Sequence, residues 1–212
     1  SSDDNIWIPT TVGVVCFRND TLALYKLDGI YLIHGDKIAL PDKNGIPNMV
    51  WHNLDSPIAK NNLQTNRLQV TGICEDNQGS IWLGGPYSSC VIKIKNSKNQ
   101  FAPMIFYNDN VQTETTNIER LQKITQTNDG KIWSISEYSS ENVRYYDPLK
   151  NNWHNFSLVS FGGTDNNTSI IQTRDGALWI GSHSRLHVLR NGKWHIYLAS
   201  QLGVTSDRLY LL

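Results

Sequence analysis

The stretch Gly79-Ser80-Ile81-Trp82-Leu83-Gly84-Gly85 decides the fold, because the chain repeats it. Two further copies lie at residues 130–136 and 176–182, each with a tryptophan at the same place. Two weaker copies surround Trp7, where the leading glycine is missing, and Tyr31, where tyrosine replaces tryptophan. Every copy joins a polar turn to a short apolar strand, so the sequence predicts five similar β units.

The spacing of the copies matches the repeat length of a β-propeller blade. Between their aromatic residues, successive copies are 24, 51, 51 and 46 residues apart. Repeats of roughly 40–50 residues that each contain several short strands are typical of propellers. The interval of 24 residues is too short for four strands, so we expect the first blade to lack its outer strand.

Each full repeat contains three further apolar runs. In the repeat of Trp133, a run at 121–124 precedes the signature strand, and runs at 142–146 and 153–156 follow it. The last repeat has the same layout with an Asn-Gly turn at 191–192, which is a strong hairpin signal. We label the four strands a to d, with the aromatic residue on strand b. No helical periodicity persists along the chain, so we expect almost no helix.

The two ends of the chain complement each other. Residues 207–212 have the pattern of a strand a, and the chain begins directly at the turn before Trp7. Pairing of the N- and C-terminal strands would close a ring and remove open sheet edges. The sequence therefore predicts one all-β domain over residues 1–212, a β-propeller of about five blades closed by its two ends. A piece of a larger propeller array is the alternative.

Composition argues against several classes of partner and cofactor. The chain balances 19 basic against 19 acidic residues, which gives no field for nucleic acid. It has no apolar run of the ~18 residues that a membrane helix needs, so we expect no membrane contact by this segment. Three cysteines without C-x-x-C spacing and three histidines on separate blades predict neither a metal site nor a cofactor. They are Cys16, Cys74 and Cys90, and His52, His154 and His195.

The longer motif at residues 75–85, Glu-Asp-Asn-Gln-Gly-Ser-Ile-Trp-Leu-Gly-Gly, resembles the two-component regulator propeller repeat. The copies at 127–136 and 173–182 match it less fully, with threonine at the position of Asp76. That repeat is commonest in periplasmic sensor regions of bacterial hybrid histidine kinases. The resemblance implies a periplasmic or extracellular sensor region. Because sensors of that family carry more blades, the chain corresponds to a sensor region alone, a fragment of one, or a free-standing relative.

The signature tryptophans, glycines and aspartates are expected to build the core and the turns, so a binding site is predicted on other loops. In a propeller, the b–c and d–a loops converge on one face around the central channel. The b–c loops supply the candidates Tyr87, Glu137, Tyr138, His183 and Arg185. Aromatic and polar side chains together suit a sugar, so the predicted partner is a small-molecule or oligosaccharide ligand. Arginine recurs before strand a, at Arg67, Arg120 and Arg208, and would favour an acidic sugar.

The leading hypothesis is a non-catalytic ligand-binding or sensing module that recognises a carbohydrate. The first alternative is a propeller enzyme that resembles the streptogramin lyases, which have a catalytic histidine and a bound magnesium. In that case His183 would act as general base beside Glu137. The second alternative is a protein-interaction scaffold, and a homodimer is a further state that the sequence allows.

Overall fold

A computed structural model describes residues 5–10, 12–18, 20–65, 68–85, 90–95, 104–108, 121–136, 143–156, 158 and 166–204. Contacts divide the chain into two compact units. The first unit comprises residues 1–71, 75–83 and 92–107, and the second comprises residues 72–74, 84–91 and 108–212. Over the described residues, the strands form four mostly antiparallel sheets, which confirms the all-β fold class.

Sheet I has six strands in the order β1-β2-β3-β4-β5-β6. They are β1 (Ile6–Pro9), β2 (Val14–Arg18), β3 (Thr21–Lys26), β4 (Gly29–His34), β5 (Lys37–Pro41) and β6 (Pro47–Asn53). Sheet II has the order β10-β9-β8-β7, with β7 (Gly72–Glu75), β8 (Ile81–Gly84), β9 (Cys90–Ile94) and β10 (Met104–Asn108).

Sheets III and IV are four-stranded meanders in the order of the chain. Sheet III consists of β11 (Leu121–Gln126), β12 (Ile132–Ser136), β13 (Val143–Asp147) and β14 (Asn152–Phe156). Sheet IV consists of β15 (Asn167–Gln172), β16 (Leu178–Ser182), β17 (Arg185–Arg190) and β18 (Lys193–Leu198). These are the strands a to d that the sequence predicts for the repeats of Trp133 and Trp179. The polar turns determine where these strands begin and end, because the residues on the two sides of a tight hairpin turn pair with each other.

The first two signature copies differ from the prediction, because they share sheet I instead of forming two blades. Strand β2 pairs directly with β3, from Arg18 opposite Thr21 to Val14 opposite Tyr25. The hairpin is closed by two residues, of which Asp20 takes a positive φ of 59°. A connection this short can only return the chain alongside the same sheet. The predicted pairing of the two chain ends falls on residues outside the described ranges.

One α-helix, α1 (Pro57–Gln64), interrupts the strands of the first unit. The Ser56 hydroxyl caps its N-terminus by accepting a hydrogen bond of 3.4 Å from the Ala59 N–H, and Pro57 occupies the first turn. Ala59 is fully buried in a core cluster with Tyr31 and other side chains of sheet I. A short 3₁₀ turn, Ala199–Leu202, follows β18.

The core of the second unit lies between sheets III and IV. Trp133 and Val143 from sheet III pack in one cluster with Leu178 and Ile180 from sheet IV. Because both sheets are meanders, their a–b and c–d turns lie at one end, which we call the turn end. Their b–c turns lie at the other end, which we call the loop end. The predicted ligand face corresponds to the loop end.

Candidate functional site

Two of the eight predicted site residues lie within the described residues, and both belong to the loop end of sheet IV. His183 follows β16 and is half-buried, and Arg185 begins β17. The other six lie outside the described ranges, so their convergence on one face stays a prediction. They are Tyr87, Glu137, Tyr138, Arg67, Arg120 and Arg208.

The loop end of sheet IV contains buried polar side chains that sequence reasoning missed. Asn167 pairs with Ser182 across β15 and β16, and both residues are buried. The Ser182 hydroxyl donates a 3.0 Å hydrogen bond to the Arg185 carbonyl, which fixes the b–c turn. His187 is also buried and lies opposite Ile180, on the face of the sheet that packs into the core. The alternation along β17 is the signal that could have placed it there.

A pocket of about 320 Å³ lies at the turn end of the second unit, between sheets III and IV. We call it the turn-end pocket. Sheet III contributes Thr127, Asn128, Asp129, Lys131 and Trp133 to its lining. Sheet IV contributes Gln172, Leu178, Leu189 and Asn191. The volume falls in the range of small-molecule sites, roughly 300–1,000 Å³. The sequence had assigned these turn residues to structure alone.

The floor of the turn-end pocket is apolar and aromatic. Trp133 is only 5% exposed and packs against the Tyr145 ring, with the ring centroids 4.8 Å apart. Leu178 and Leu189 complete this floor from the other sheet. Within the ranges that the structure describes, no residue accepts a hydrogen bond from the indole Nε1 of Trp133.

The rim of the pocket carries one ion pair. Lys131 Nζ lies 2.5 Å from Asp129 Oδ2, and the Thr127 hydroxyl donates to the other carboxylate oxygen. Burial pushes the pKa of Asp129 upward, but the bonds from Lys131 and Thr127 outweigh it and hold that pKa below its usual range. The hydrogen bond to Asp129 is also the main reason why the pKa of Lys131 is raised. Both groups are therefore charged near neutral pH, and their charges cancel.

A glutamine fastens the two walls of the pocket to each other. Gln172 Oε1 accepts a 2.7 Å hydrogen bond from the Asn128 N–H, and Gln172 Nε2 donates to the Gly176 carbonyl at 2.9 Å. These bonds engage both ends of the Gln172 amide. The side-chain amides of Asn128 and Asn191 are exposed, and neither bonds to any residue of the described part.

Cysteine and metal chemistry have little support in the described residues. Cys16 is a free thiol, and burial raises its pKa to about 11, which keeps this thiol protonated. Across the described part of the chain, no cluster of three or more His, Cys, Asp or Glu residues could hold a metal ion. The same residues include no helix that is long and apolar enough to span a membrane.

The comparison with known families confirms the predicted resemblance. Residues 65–87 match the two component regulator propeller family, and this segment includes the Trp82 signature. No curated protein matches the chain.

Solved structures are similar in fold at low sequence identity. A catalytically inactive virginiamycin B lyase from Staphylococcus aureus with quinupristin is 15% identical, with a TM-score of 0.52 over 93% of this chain. The extracellular domain of BT4673 from B. thetaiotaomicron, described as a one-component or hybrid two-component system, is 13% identical with a TM-score of 0.51. The chain spans 67% of the lyase and 30% of the BT4673 domain. At these identities the likeness supports the propeller fold alone.

Proposed function

We propose that this chain is a non-catalytic, ligand-binding segment of a sensor propeller that recognises a carbohydrate in the periplasm or outside the cell. The observation that carries the proposal is the match of residues 65–87 to the two component regulator propeller family. The fold likeness to an extracellular domain described as part of a signalling system supports the same reading. The chain would then report ligand binding to a signalling partner rather than convert the ligand.

The polar chemistry of both sheet ends supports a ligand with many hydroxyl groups. The loop end of sheet IV offers His183 and Arg185 above buried polar side chains. The turn end offers amides and an ion pair above an apolar floor. Such mixtures of donors, acceptors and apolar surface match a sugar, which presents hydroxyls at its edge and C–H groups on its faces.

Calorimetric titration of the purified chain with a panel of neutral and acidic oligosaccharides tests this proposal. We expect saturable heat with at least one class, and we expect the bound sugar to be recovered unchanged by mass spectrometry. The predicted arginines favour acidic members, so the panel includes oligogalacturonides beside maltose, cellobiose and xylobiose. If no member binds, the carbohydrate proposal is wrong.

A lyase of the streptogramin type is the second candidate, because the fold resembles a lyase structure that contains quinupristin. His183 is the described residue that would serve as its base. Incubation with quinupristin and magnesium, followed by mass spectrometry, tests this candidate. A ring-opened product that disappears in a His183→Ala variant but not in a His195→Ala variant would replace the sensor proposal with an enzyme.

An interaction scaffold is the third candidate, and strand β6 supplies its observation. This strand lies at one edge of sheet I in the described residues and exposes Met49, Val50 and Trp51, beside the exposed Ile46. Exposed apolar edge strands are common contact sites for other chains. Sedimentation over a concentration series tests self-association, including a homodimer. A monomer at every concentration would remove self-association from this candidate.

A further inference from the structure

We propose that the turn-end pocket binds a neutral, polyhydroxylated ring of monosaccharide size. The inference rests on the proposed carbohydrate function and assigns a place and a charge class to the ligand. The pocket lies at the turn end of sheets III and IV. The site predicted from the sequence lies at the opposite end, on the b–c loops. All residues that line the pocket belong to one compact unit.

The first support is the indole N–H of Trp133. In two other signature copies this donor is satisfied by the residue six positions earlier: Trp82 Nε1 donates to Asp76 at 2.7 Å, and Trp179 Nε1 donates to Thr173 at 3.1 Å. The equivalent partner of Trp133 is Thr127, whose hydroxyl interacts with Asp129 and the Lys131 carbonyl as that of Thr173 does with Asp175 and the Ala177 carbonyl. Among the described residues, the bond from the tryptophan is the one contact of this turn that sheet III lacks.

An acceptor from outside the protein would satisfy this donor. Trp133 lines the pocket and is only 5% exposed, and in the described ranges its Nε1 has no protein acceptor. The Trp133 side chain is buried as a whole, but its Nε1 is not sealed from solvent, so water or a ligand hydroxyl in the pocket can accept its hydrogen bond. A ligand hydroxyl that replaces such a water would gain this bond without requiring the protein to rearrange.

The second support is the pairing of charge at the rim. Asp129 and Lys131 neutralise each other at 2.5 Å, and the other described residues that line the pocket are uncharged. A charged ligand would have to compete with an existing ion pair, whereas a neutral hydroxyl can add a hydrogen bond to either partner. This local neutrality argues against the acidic sugar that the arginines at the opposite end would favour.

The third support is the pair of unengaged amides. The side chains of Asn128 and Asn191 each offer both a donor and an acceptor, and a sugar hydroxyl can use both. The apolar floor of Trp133, Leu178 and Leu189 would lie against C–H groups of the ring. Because Gln172 already ties the two walls together, the pocket is formed before a ligand arrives, which lowers the cost of binding.

Nuclear magnetic resonance of the Trp133 indole tests the inference directly. The ¹⁵N–¹H signal of Trp133 is assigned from its loss in a Trp133→Phe variant. The purified chain is then titrated with D-glucose, D-galactose and D-mannose, and with D-glucuronate as the charged comparison. We expect a saturable shift of this signal with at least one neutral sugar and a weaker response to glucuronate.

Matched variants identify the amides that hold the sugar. We expect Asn128→Ala and Asn191→Gly each to weaken binding about threefold to tenfold, the loss that one hydrogen bond represents. Glycine is chosen at Asn191 because that residue has a positive φ of 51°, which glycine adopts freely. The control is Asn61→Ala on the exposed face of α1, which should leave binding unchanged.

The outcomes separate this inference from the proposed function. If a sugar binds by calorimetry but the Trp133 signal and the asparagine variants do not respond, the pocket assignment is wrong and the function stands. If glucuronate binds more tightly than every neutral sugar at this signal, the neutral class is wrong. If neither the oligosaccharide panel nor these sugars bind at all, the function and the pocket assignment both fail.

Discussion

Sheets II and IV carry the same a–b turn with different side chains inside it. In sheet II the Asp76 N–H donates to the Ser80 carbonyl at 2.8 Å, and in sheet IV the Thr173 N–H donates to the Ala177 carbonyl at 2.9 Å. The glycines of the two turns have positive φ values of 76° and 83°. The backbone is therefore alike, and the difference lies in how each turn holds its tryptophan.

In sheet II a single buried carboxylate does all the bonding. Asp76 accepts hydrogen bonds from the N–H groups of Gln78 and Ser80 and from Trp82 Nε1. Its second oxygen lies 3.2 Å from Lys93 Nζ, which sits 4.7 Å from the centre of the Trp82 ring. The Asp76 side chain is only 4% exposed.

In sheet IV the same task is divided between two residues near solvent. The Thr173 hydroxyl accepts from Trp179 Nε1 and donates to Asp175 at 2.5 Å. Asp175 in turn pairs with Arg190 at 2.7 Å, and both side chains are about half exposed. The same backbone turn is thus supported by one buried carboxylate in sheet II and by a chain of exposed hydrogen bonds in sheet IV. We expect the two arrangements to contribute very differently to the free energy of unfolding.

The largest expected effect is the removal of the buried carboxylate. Asp76→Ala leaves Lys93 and the Trp82 N–H buried without their partner, so we expect a loss of about 3–5 kcal/mol in the free energy of unfolding. The matched variant Asp175→Ala should lose much less, because its ion pair with Arg190 is exposed to solvent. Urea unfolding followed by tryptophan fluorescence measures both. Equal losses would show that burial does not distinguish the two turns.

The next largest effect is expected when the side chains of the sheet II turn are replaced by those of sheets III and IV. Asp76→Thr alone should be strongly destabilising, and adding Gln78→Asp restores the Thr-x-Asp pair of sheets III and IV. We expect the second substitution to recover about 1 kcal/mol in the Asp76→Thr background. In the wild-type background Gln78→Asp should give no such gain, because it places a second carboxylate beside Asp76. A double-mutant cycle with no coupling would contradict the equivalence of the two turns.

A smaller effect is expected on the acid side of the pH profile. Burial alone would raise the pKa of Asp76, but the bonds from Trp82, Ser80 and Lys93 lower it below the usual value. A carboxyl whose folded pKa is depressed stabilises the fold above its unfolded pKa of about 3.9 and loses this contribution as the pH falls through the folded pKa. Asp76→Asn should therefore lose less stability than wild type as the pH falls from about 4 to about 2. Parallel acid profiles would show that Asp76 does not titrate with unfolding.

Sequence alone predicted the blades that depend on local signals. The turn before Trp133 and the Asn191-Gly192 hairpin set the strands of sheets III and IV, because turn chemistry and alternation act within a few residues. The merging of the first two copies into sheet I was not predicted. Pairing of β2 with β3 depends on a hairpin whose Asp20 takes a positive φ, and the sequence around it gives no glycine to mark that turn.

The missed helix and the missed pocket have different causes. The start of α1 was readable, because Ser56 followed by Pro57 is a common N-terminal signal. The turn-end pocket could not be predicted from the sequence, because its lining comes from two different sheets. The indole N–H of Trp133 also stands out only once the hydrogen bonds among the described residues are known, since none of these residues accepts from it. The predicted site residues at the loop end depend on the meeting of several loops, and only His183 and Arg185 of that set have described positions.

The smallest expected effect is the salt dependence of the stability loss, which should differ between the exposed ion pair of sheet IV and the buried one of sheet II. Arg190 and Asp175 form a well-aligned pair in solvent, so Arg190→Ala should cost about 0.5 kcal/mol or less at low ionic strength. At about 1 M salt the Debye length falls to roughly 3 Å, so this difference should vanish. Lys93→Met removes the buried partner of Asp76 while keeping a long side chain over the Trp82 ring, and its cost should persist at high salt because solvent ions do not reach the pair. Unfolding of both variants at two salt concentrations gives the comparison. If the stability loss of Lys93→Met also vanished at high salt, the carboxylate of sheet II would be as accessible to solvent ions as that of sheet IV. The two turns would then differ in sequence but not in the way that they stabilise the fold.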